Sequence, residues 1–193
     1  MTKPKIVIIP GNGGSHIETD HWYSWLRDTL RENGYEVIAE DMPDPVAARA
    51  NIWLPHIEKV FKADENTIII GHSSGGVATL RYLEAHKLQG AIIVGAMYTD
   101  LGFEDEKASG YYDAPWQWEK IKANSDWIAQ FASTDDPYIP VAEPRLIHEK
   151  LNTEYYELSD RGHYMVEQNH INNTFPEILE VIKNQSWLRV VFG

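Results

Sequence analysis

The feature that most constrains this chain is a short apolar run that stops at a glycine-rich turn and passes directly into a helical pattern. The run is Thr67–Ile70, and the turn Gly71–Gly75 has the sequence G-H-S-S-G, which matches G-x-S-x-G. The helical pattern covers Gly75–His86. A strand, a sharp turn and a helix in this order form a nucleophile elbow, in which the central residue, here Ser73, stands exposed at the end of a sheet.

The two outer glycines of this turn have a steric explanation. A turn this sharp forces its central residue into a strained backbone conformation and brings neighbouring chain so close that a Cβ would clash. The start of the following helix adds the positive end of a dipole. The alternative is a glycine-rich turn between a strand and a helix that only packs well or binds phosphate.

Short apolar runs alternate with helical patterns along the whole chain, which predicts parallel strands linked by helices. Strands are predicted at Ile6–Ile9, Tyr35–Ala39, Thr67–Ile70, Ala91–Val94, Trp127–Phe131 and Glu154–Leu158. Helices are predicted at His21–Glu32, within Val46–Phe61, and at Gly75–His86, Glu143–Lys150 and Thr174–Lys183. Because 193 residues is the length of one domain, we expect a single α/β domain, residues 1–193.

Charge and cysteine content exclude several classes of function. The net charge of −12 disfavours nucleic acid and anionic membrane surfaces as partners, since both are bound through Lys and Arg. The absence of cysteine excludes disulfides, thiolate metal sites and a cysteine nucleophile. The start Met1–Lys5 has no signal-peptide pattern, and Ile6–Ile9 is too short to span a membrane, so we expect a cytoplasmic protein.

A serine nucleophile needs a base, and in α/β-hydrolases the partners follow in the order Ser, Asp or Glu, His. Asp136 follows the fifth predicted strand and His163 follows the sixth, directly after Gly162. Both positions are carboxyl ends of strands, where open α/β sheets build their sites. We expect the remaining histidines to be mostly surface or helix residues: His16, His21, His56, His72, His86, His148 and His170.

Asp135 is the rival of Asp136 for the acid. Asp136 stands in D-x-x-I-P, ahead of Ile139, which is the usual setting of a hydrolase acid. Either aspartate could instead shape the turn or cap the next helix. This setting favours Asp136.

An oxyanion hole needs two N–H donors aimed at the oxygen that becomes charged. The backbone N–H of Ser74, directly after Ser73, is the first candidate. The loop Pro10–Gly14 offers the second, with Asn12 preferred over Gly11. This loop is not a complete dinucleotide motif because position 16 is histidine, and neither a P-loop nor H-E-x-x-H is present, so we expect no cofactor and no metal.

The long stretch Tyr98–Ala114 has no clear helix or strand pattern, and connections of this length often form the wall of a site. Trp116 and Trp118 stand beside it and are candidates for substrate binding. Their alternative role is ordinary packing in the core.

Several stretches of this chain resemble the retinoblastoma-binding serine hydrolases, a group that includes the bacterial YdeN-like hydrolases. They are Pro10–Gly14, Asp41–Pro45, Gly71–Gly75, Pro115–Asn124, Ser133–Pro137 and Gly162–His163. The resemblance implies an α/β-hydrolase fold with a six-stranded parallel sheet in the order 2-1-3-4-5-6, flanked by helices on both faces and without a large lid. It also implies a triad of Ser73, Asp136 and His163.

One departure from that group concerns its partner. The L-x-C-x-E motif that engages a retinoblastoma protein corresponds here to Phe61–Glu65, where the leucine and the cysteine are both missing. We therefore do not carry this partner over. The expected function is hydrolysis of small carboxylic esters or amides through an acyl-enzyme on Ser73. The alternative is a binding protein that keeps the fold without turnover.

Overall fold

The computed structural model describes residues 3–166 and 173–192, and its strands form one parallel sheet. The strands are β1 (Lys5–Ile9), β2 (Glu36–Ala39), β3 (Thr67–His72), β4 (Gly90–Val94), β5 (Ile128–Ser133) and β6 (Glu154–Leu158). Their order is β2-β1-β3-β4-β5-β6, and every neighbouring pair is parallel. The predicted α/β fold with strand order 2-1-3-4-5-6 is confirmed.

Seven helices connect and cover these strands in the described part of the chain. They are α1 (Tyr23–Glu32), α2 (Ala50–Lys59), α3 (Ser74–Leu83), α4 (Glu104–Ser109), α5 (Trp118–Ala123), α6 (Ala142–Leu151) and α7 (Pro176–Phe192). The sequence patterns predicted neither α4 nor α5, whose six residues each are too few to show helical periodicity. Across residues 3–166 and 173–192, no helix has the length and apolar character needed to cross a membrane.

Alternating side chains of the buried strands build two cores, one on each face of the sheet. In β1, Val7 and Ile9 belong to one core and Ile6 and Ile8 to the other. Apolar residues of α2, α3, α5 and α6 join the first core, and those of α1 and α7 join the second. Full burial of each such side chain stabilises the fold by about 1.5–3 kcal/mol, which explains why the inner strands are continuous apolar runs.

The sheet order brings the carboxyl ends of β3, β4, β5 and β6 side by side. His72 at the end of β3 is in register with Val94 of β4, and Ser133 of β5 is in register with Leu158 of β6. The residues that follow these strands therefore leave the sheet along one edge. This edge holds Ser73, Asp136 and His163, although they are far apart in the sequence.

Candidate active site

The turn after β3 is so tight that only glycine fits two residues before and two residues after Ser73. A Cβ on Gly71 would collide with the backbone carbonyl of Gly75. A Cβ on Gly75 would stand 2.6 Å from the carbonyl oxygen of Pro10. Since backbone atoms cannot move aside as a flexible side chain can, the two outer glycines of G-x-S-x-G are steric requirements of this turn. Gly76 belongs to the same set, because its Cβ would lie 2.9 Å from Ala96.

Ser73 itself has an unusual backbone, with φ 53° and ψ −121°. A non-glycine residue with positive φ at such a ψ is strained and persists only when its surroundings hold it. Two contacts do so. The N–H of Ser73 donates to the carbonyl of Val94 at 2.8 Å, and its carbonyl accepts from Val77 at 3.1 Å in the first turn of α3. The side chain of Ser73 is thereby directed to a cavity.

His163 and Asp136 form a buried pair at this cavity. His163 Nδ1 lies 2.7 Å from Asp136 Oδ2, and the two side chains are only 6% and 3% exposed. A carboxylate accepts hydrogen bonds, so the imidazole donates from Nδ1, and Nε2 is left as the basic nitrogen. The pair therefore has the geometry of a general base with an orienting acid.

The second oxygen of Asp136 explains the D-x-x-I-P pattern. Asp136 Oδ1 accepts from the N–H of Tyr138 at 2.9 Å and from the N–H of Ile139 at 3.0 Å. Because one carboxylate oxygen is held by the turn, the other points in a fixed direction toward His163. The carboxylate is oriented by backbone that its own sequence neighbours supply.

Asp135 has a different set of partners from those of Asp136. Asp135 Oδ1 accepts from Ser133 Oγ at 2.5 Å and from the N–H groups of Arg161 and Gly162 at 3.3 Å each. The Ser133 hydroxyl, and then the Gly162 and Arg161 N–H groups, hold the pKa of Asp135 below its ordinary value. Asp135 thus fixes the approach to His163, while Asp136 contacts its ring.

The cavity at this edge has a volume of about 420 Å³. Ser73 and His163 both line it, together with apolar side chains that include Met97, Leu101 and Phe103. Leu101 and Phe103 come from the stretch Tyr98–Ala114, which was expected to wall the site. The other residues that line the cavity are Gly11, Asn12, Gly13, Ser15, His21, His72, Asp105, Glu106, Tyr138, Ile139 and Met165.

Asn12 and Ser74 are the residues whose backbone N–H groups were predicted as oxyanion donors. Asn12 lines the cavity, and Ser74 is the first residue of α3 directly after Ser73. The N–H of Gly11, the other candidate, donates to the Tyr23 hydroxyl at 3.3 Å. That donor is already engaged, so Asn12 stays the predicted second donor. The Asn12 side chain donates from Nδ2 to Glu106 at 3.0 Å, which braces this loop against α4.

Trp116 and Trp118 lie elsewhere than predicted, since neither is among the residues that line the Ser73 cavity. Their rings stack with centroids 5.3 Å apart and pack against one of the two cores. The Arg81 guanidinium sits 3.6 Å from the centroid of the Trp116 ring, and Trp116 Nε1 donates to the carbonyl of Tyr98. Trp116 lines a second cavity, of about 550 Å³. The structure therefore gives these two residues a packing role.

Sequence reasoning missed four residues that contact His163 or its neighbour His72. Gly95 follows β4 directly, and its Cβ would stand 3.2 Å from the imidazole. His72 and His21 are exceptions to the expectation of surface or helical histidines, because they are 2% and 8% exposed. Tyr23 contacts His72 in the buried interior. Of these four residues, only Gly95 could have been found from the sequence, because it is a glycine directly after a strand that the expected sheet order places between β3 and β5. His170 lies outside the described residues.

Burial sets the electrostatics of the polar groups at this cavity. It keeps the pKa of His72 well below its ordinary value, and the neighbouring His163 and His21 act in the same direction. Burial also raises the pKa of Glu106, although hydrogen bonds from Asn12 and Tyr112 oppose this. In the described ranges, no group of three or more His, Asp or Glu side chains is arranged to hold a metal ion.

The fold and this arrangement together define an α/β-hydrolase: a parallel sheet with a strained serine after β3, an acid after β5 and a histidine after β6. A family model described as Serine hydrolase matches residues 6–184. The chain belongs to this serine hydrolase family, and it is a hydrolase. The predicted family resemblance is confirmed.

Relatives of known name agree with this assignment. The chain is 48% identical over 186 residues to Serine hydrolase RBBP9 of Rattus norvegicus. The match covers 95% of this chain and 97% of that protein. The chain is 30% identical over 176 residues to YdeN of Bacillus subtilis (strain 168), and the match covers 87% of this chain and 89% of that one.

Solved structures agree on the fold. The crystal structure of the ydeN gene product from B. subtilis superposes with a TM-score of 0.84 at 25% identity, covering 95% of this chain and 98% of that one. Est1E from Butyrivibrio proteoclasticus, solved with ferulic acid bound, gives a TM-score of 0.72 at 14% identity, with coverage of 97% and 90%. At that identity the second likeness concerns the fold alone.

Proposed function

We propose that this protein hydrolyses small carboxylic esters or amides through an acyl-enzyme formed on Ser73. The observation that carries the proposal is the buried pair of Asp136 and His163, 2.7 Å apart, at the cavity that Ser73 also lines. A hydroxyl is a weak nucleophile near neutral pH, and this pair supplies what it lacks, a base held in one tautomer.

In the acylation step, Ser73 Oγ attacks the carbonyl carbon of the substrate and its proton passes to His163 Nε2. The imidazolium that forms is stabilised by the Asp136 carboxylate at Nδ1. The tetrahedral intermediate then collapses, the bond to the leaving group breaks, and His163 gives its proton to the departing oxygen or nitrogen. The product of this half-reaction is the leaving alcohol or amine and an ester on Ser73.

In the deacylation step, a water molecule takes the place of the leaving group. His163 accepts a proton from the water as its oxygen attacks the acyl carbon, and returns that proton to Ser73 Oγ when the ester bond breaks. The backbone N–H groups of Ser74 and Asn12 stabilise the oxyanion in both steps. Removing one such donor typically costs about 10²–10³-fold in kcat.

The size and lining of the cavity support a small substrate. A volume of about 420 Å³ lies at the lower end of the range for ligand sites. Met97, Leu101 and Ile139 give the cavity apolar walls for an acyl group. We include short acyl esters and aminoacyl amides as the substrates to be screened.

Labelling with a fluorophosphonate probe tests the proposal, because such a probe reacts readily with an activated serine and not with an ordinary hydroxyl. We expect the native chain to become labelled and a Ser73→Ala variant not to be. Ser74→Ala is the matched control, because it removes the neighbouring hydroxyl and keeps the backbone N–H that the mechanism uses. Peptide mapping should place the adduct on Ser73. If Ser73→Ala is labelled as readily as the native chain, the assignment is wrong.

A binding protein that keeps the fold without turnover is the competing hypothesis. It predicts a cavity that binds ligand but no covalent adduct. The 2.7 Å contact between Asp136 and His163 counts against it, since a protein without turnover has no need to orient a buried imidazole. Absence of labelling in the native chain would favour it.

A further inference from the structure

A chain of buried hydrogen bonds joins the loop of the proposed oxyanion donor to the loop of His163. The N–H of Gly11 donates to the Tyr23 hydroxyl at 3.3 Å. Tyr23 Oη lies 2.5 Å from His72 Nδ1, and His72 Nε2 lies 2.8 Å from the backbone carbonyl oxygen of His163. Tyr23 is fully buried, and His72 and His163 are at most 5% exposed.

Only one arrangement of protons satisfies this chain. The carbonyl oxygen of His163 can only accept, so His72 Nε2 must carry a hydrogen. Burial lowers the pKa of His72 and keeps it neutral, so its Nδ1 has no hydrogen and accepts from Tyr23. The Tyr23 oxygen in turn accepts from Gly11. The Tyr23 hydroxyl therefore donates to His72 Nδ1, and His72 Nε2 donates to the carbonyl oxygen of His163. The proton position in each hydrogen bond depends on that in the next.

The loop that carries His163 is anchored at Asp135, which accepts from the Arg161 and Gly162 N–H groups, and the hydrogen bond from His72 adds a contact at the histidine itself. The loop lies outside the regular helices and strands, and its backbone has positive φ on both sides of the histidine, 50° at Gly162 and 58° at Tyr164. Trp22, the residue before Tyr23, also holds this loop, because its Nε1 donates to the carbonyl oxygen of Tyr164 at 3.2 Å. Two consecutive carbonyls of this loop are thus held from the interior.

Burying a histidine and a tyrosine hydroxyl in an apolar core is costly unless both are fully hydrogen-bonded. An apolar side chain at either position would fill the same space without that requirement. The His72 ring is enclosed by other rings, with Trp22 and Tyr23 at 5.9 and 5.8 Å and His21 and His163 at 5.7 and 5.0 Å. What the polar chain adds is a fixed distance between two loops that both face Ser73.

We infer that His72 and Tyr23 are positioning residues of the hydrolytic reaction. Together they fix the positions of the His163 backbone and of the loop that carries Asn12 relative to Ser73. The inference rests on the function proposed above. A group displaced by about 1 Å from its reacting position can lose about 10²-fold in rate. In this role His72, which also borders the cavity, acts through the backbone of His163.

Two substitutions of His72 separate positioning from simple stability. In His72→Gln the amide nitrogen stands near the place of Nε2 and can still donate to the His163 carbonyl. In His72→Asn the amide oxygen stands near the place of Nδ1 and can still accept from Tyr23, but the donor to His163 is lost. Each variant keeps one of the two hydrogen bonds of His72, so we expect similar falls in melting temperature.

The experiment measures kcat and KM with 4-nitrophenyl acetate for the native chain, both His72 variants and Tyr23→Phe. We expect His72→Gln to stay within about fivefold of the native kcat, and His72→Asn to fall about 10- to 100-fold with KM changed less than threefold. Tyr23→Phe should lose about tenfold in kcat, since it frees both Gly11 and His72 Nδ1.

Equal kcat values for His72→Gln and His72→Asn would overturn the inference, as would a Tyr23→Phe variant with native kcat. Tyr23→Phe keeps the test decisive if a His72 variant does not fold. Failure of the inference is distinguishable from failure of the proposed function, because in the first case the native chain is still labelled at Ser73 and in the second it is not.

Discussion

Gly95 lies against the imidazole of His163, so closely that a Cβ on Gly95 would stand 3.2 Å from both Cε1 and Nδ1 of that ring. The same Cβ would be 3.8 Å from Asp136 Oδ2. The cause is the sheet order: β4 lies between β3 and β5, so the residue after β4 stands between the serine and the acid. The pair of His163 and Asp136 occupies the space that a side chain at position 95 would take.

We expect Gly95→Ala to reduce kcat/KM by about 10- to 100-fold, because the methyl group pushes the imidazole away from Ser73. The positive φ of 55° adds a stability loss of about 1–3 kcal/mol. Steady-state kinetics and urea unfolding measure the two effects separately.

Gly34→Ala is the matched control for that substitution. Gly34 also has positive φ, at 77°, but it follows α1 and its Cβ would meet only the end of the Lys3 side chain at 3.6 Å. It should lose stability and keep native kcat/KM. If both variants lose activity equally, contact with His163 is not the reason.

Residues Ile6–Ile9 and Thr67–Ile70 illustrate why the fold could be predicted from the sequence. Strands buried on both faces must be apolar throughout, so each appears as a continuous run, and helices between them dictate parallel pairing. The order of the strands, by contrast, came from the family resemblance. The triad candidates followed from their places after strands, because the carboxyl ends of a parallel sheet share one edge.

Contacts between distant segments could not be predicted in this way. Tyr23 looks like any residue of an amphipathic helix, and only the packing of α1 beneath the Ser73 turn brings it to His72. Trp116 and Trp118 were predicted to wall the cavity because they stand near a long connection. The tertiary structure instead packs them on the core, and Arg81 stacks on Trp116.

Substitution of the two neighbouring aspartates should separate their roles. Asp136→Asn presents an amide to His163 Nδ1 and favours the wrong tautomer, so we expect kcat to fall about 10³- to 10⁴-fold. Asp135→Asn keeps an oxygen for the Arg161 and Gly162 N–H groups and should lose less than tenfold. Rate measurements on a short acyl ester decide the matter. An Asp135→Asn variant as impaired as Asp136→Asn would contradict the assignment of the acid.

Glu143 provides a test of how the cavity wall is held. Its buried side chain accepts from the N–H groups of Tyr98 and Thr99 at 2.9 Å each and from Thr99 Oγ1 at 2.8 Å. Glu143→Gln keeps one oxygen for the two N–H groups and lets its amide donate to Thr99 Oγ1, but it replaces charge-assisted hydrogen bonds with weaker neutral ones, so we expect a stability loss of about 1–2 kcal/mol. Because Leu101 lies just beyond this segment, KM should rise more than kcat falls.

The control for Glu143→Gln is Glu149→Gln on the same helix, α6, where the side chain is 73% exposed. It should leave the free energy of unfolding within about 0.5 kcal/mol of the native value. Urea unfolding and substrate titration provide both readouts. A Glu143→Gln variant with unchanged stability would show that the Tyr98–Thr99 segment is held by other contacts.

The neutral state of His72 should be visible in the pH dependence of stability. The unfolded chain binds a proton at His72 near pH 6.5, whereas burial, with His163 and His21 nearby, keeps the folded pKa well below that value. As pH falls below about 6.5, the unfolded state therefore gains a proton that the folded state binds only at much lower pH. The free energy of unfolding should decrease by about 1.4 kcal/mol per pH unit from this group, and its contribution is fully present only above about pH 6.5.

Other groups also titrate in this range, so the informative quantity is the difference between the native chain and His72→Gln. Urea unfolding between pH 7.5 and 5.5 gives two curves of free energy against pH. Glutamine does not titrate, so below pH 6.5 the native curve should fall more steeply than the His72→Gln curve. The difference in slope should be about 1.4 kcal/mol per pH unit, which corresponds to one proton per molecule. Parallel curves would mean that His72 binds a proton equally well in both states, and then the donation from Tyr23 to its Nδ1 would not be the stable arrangement.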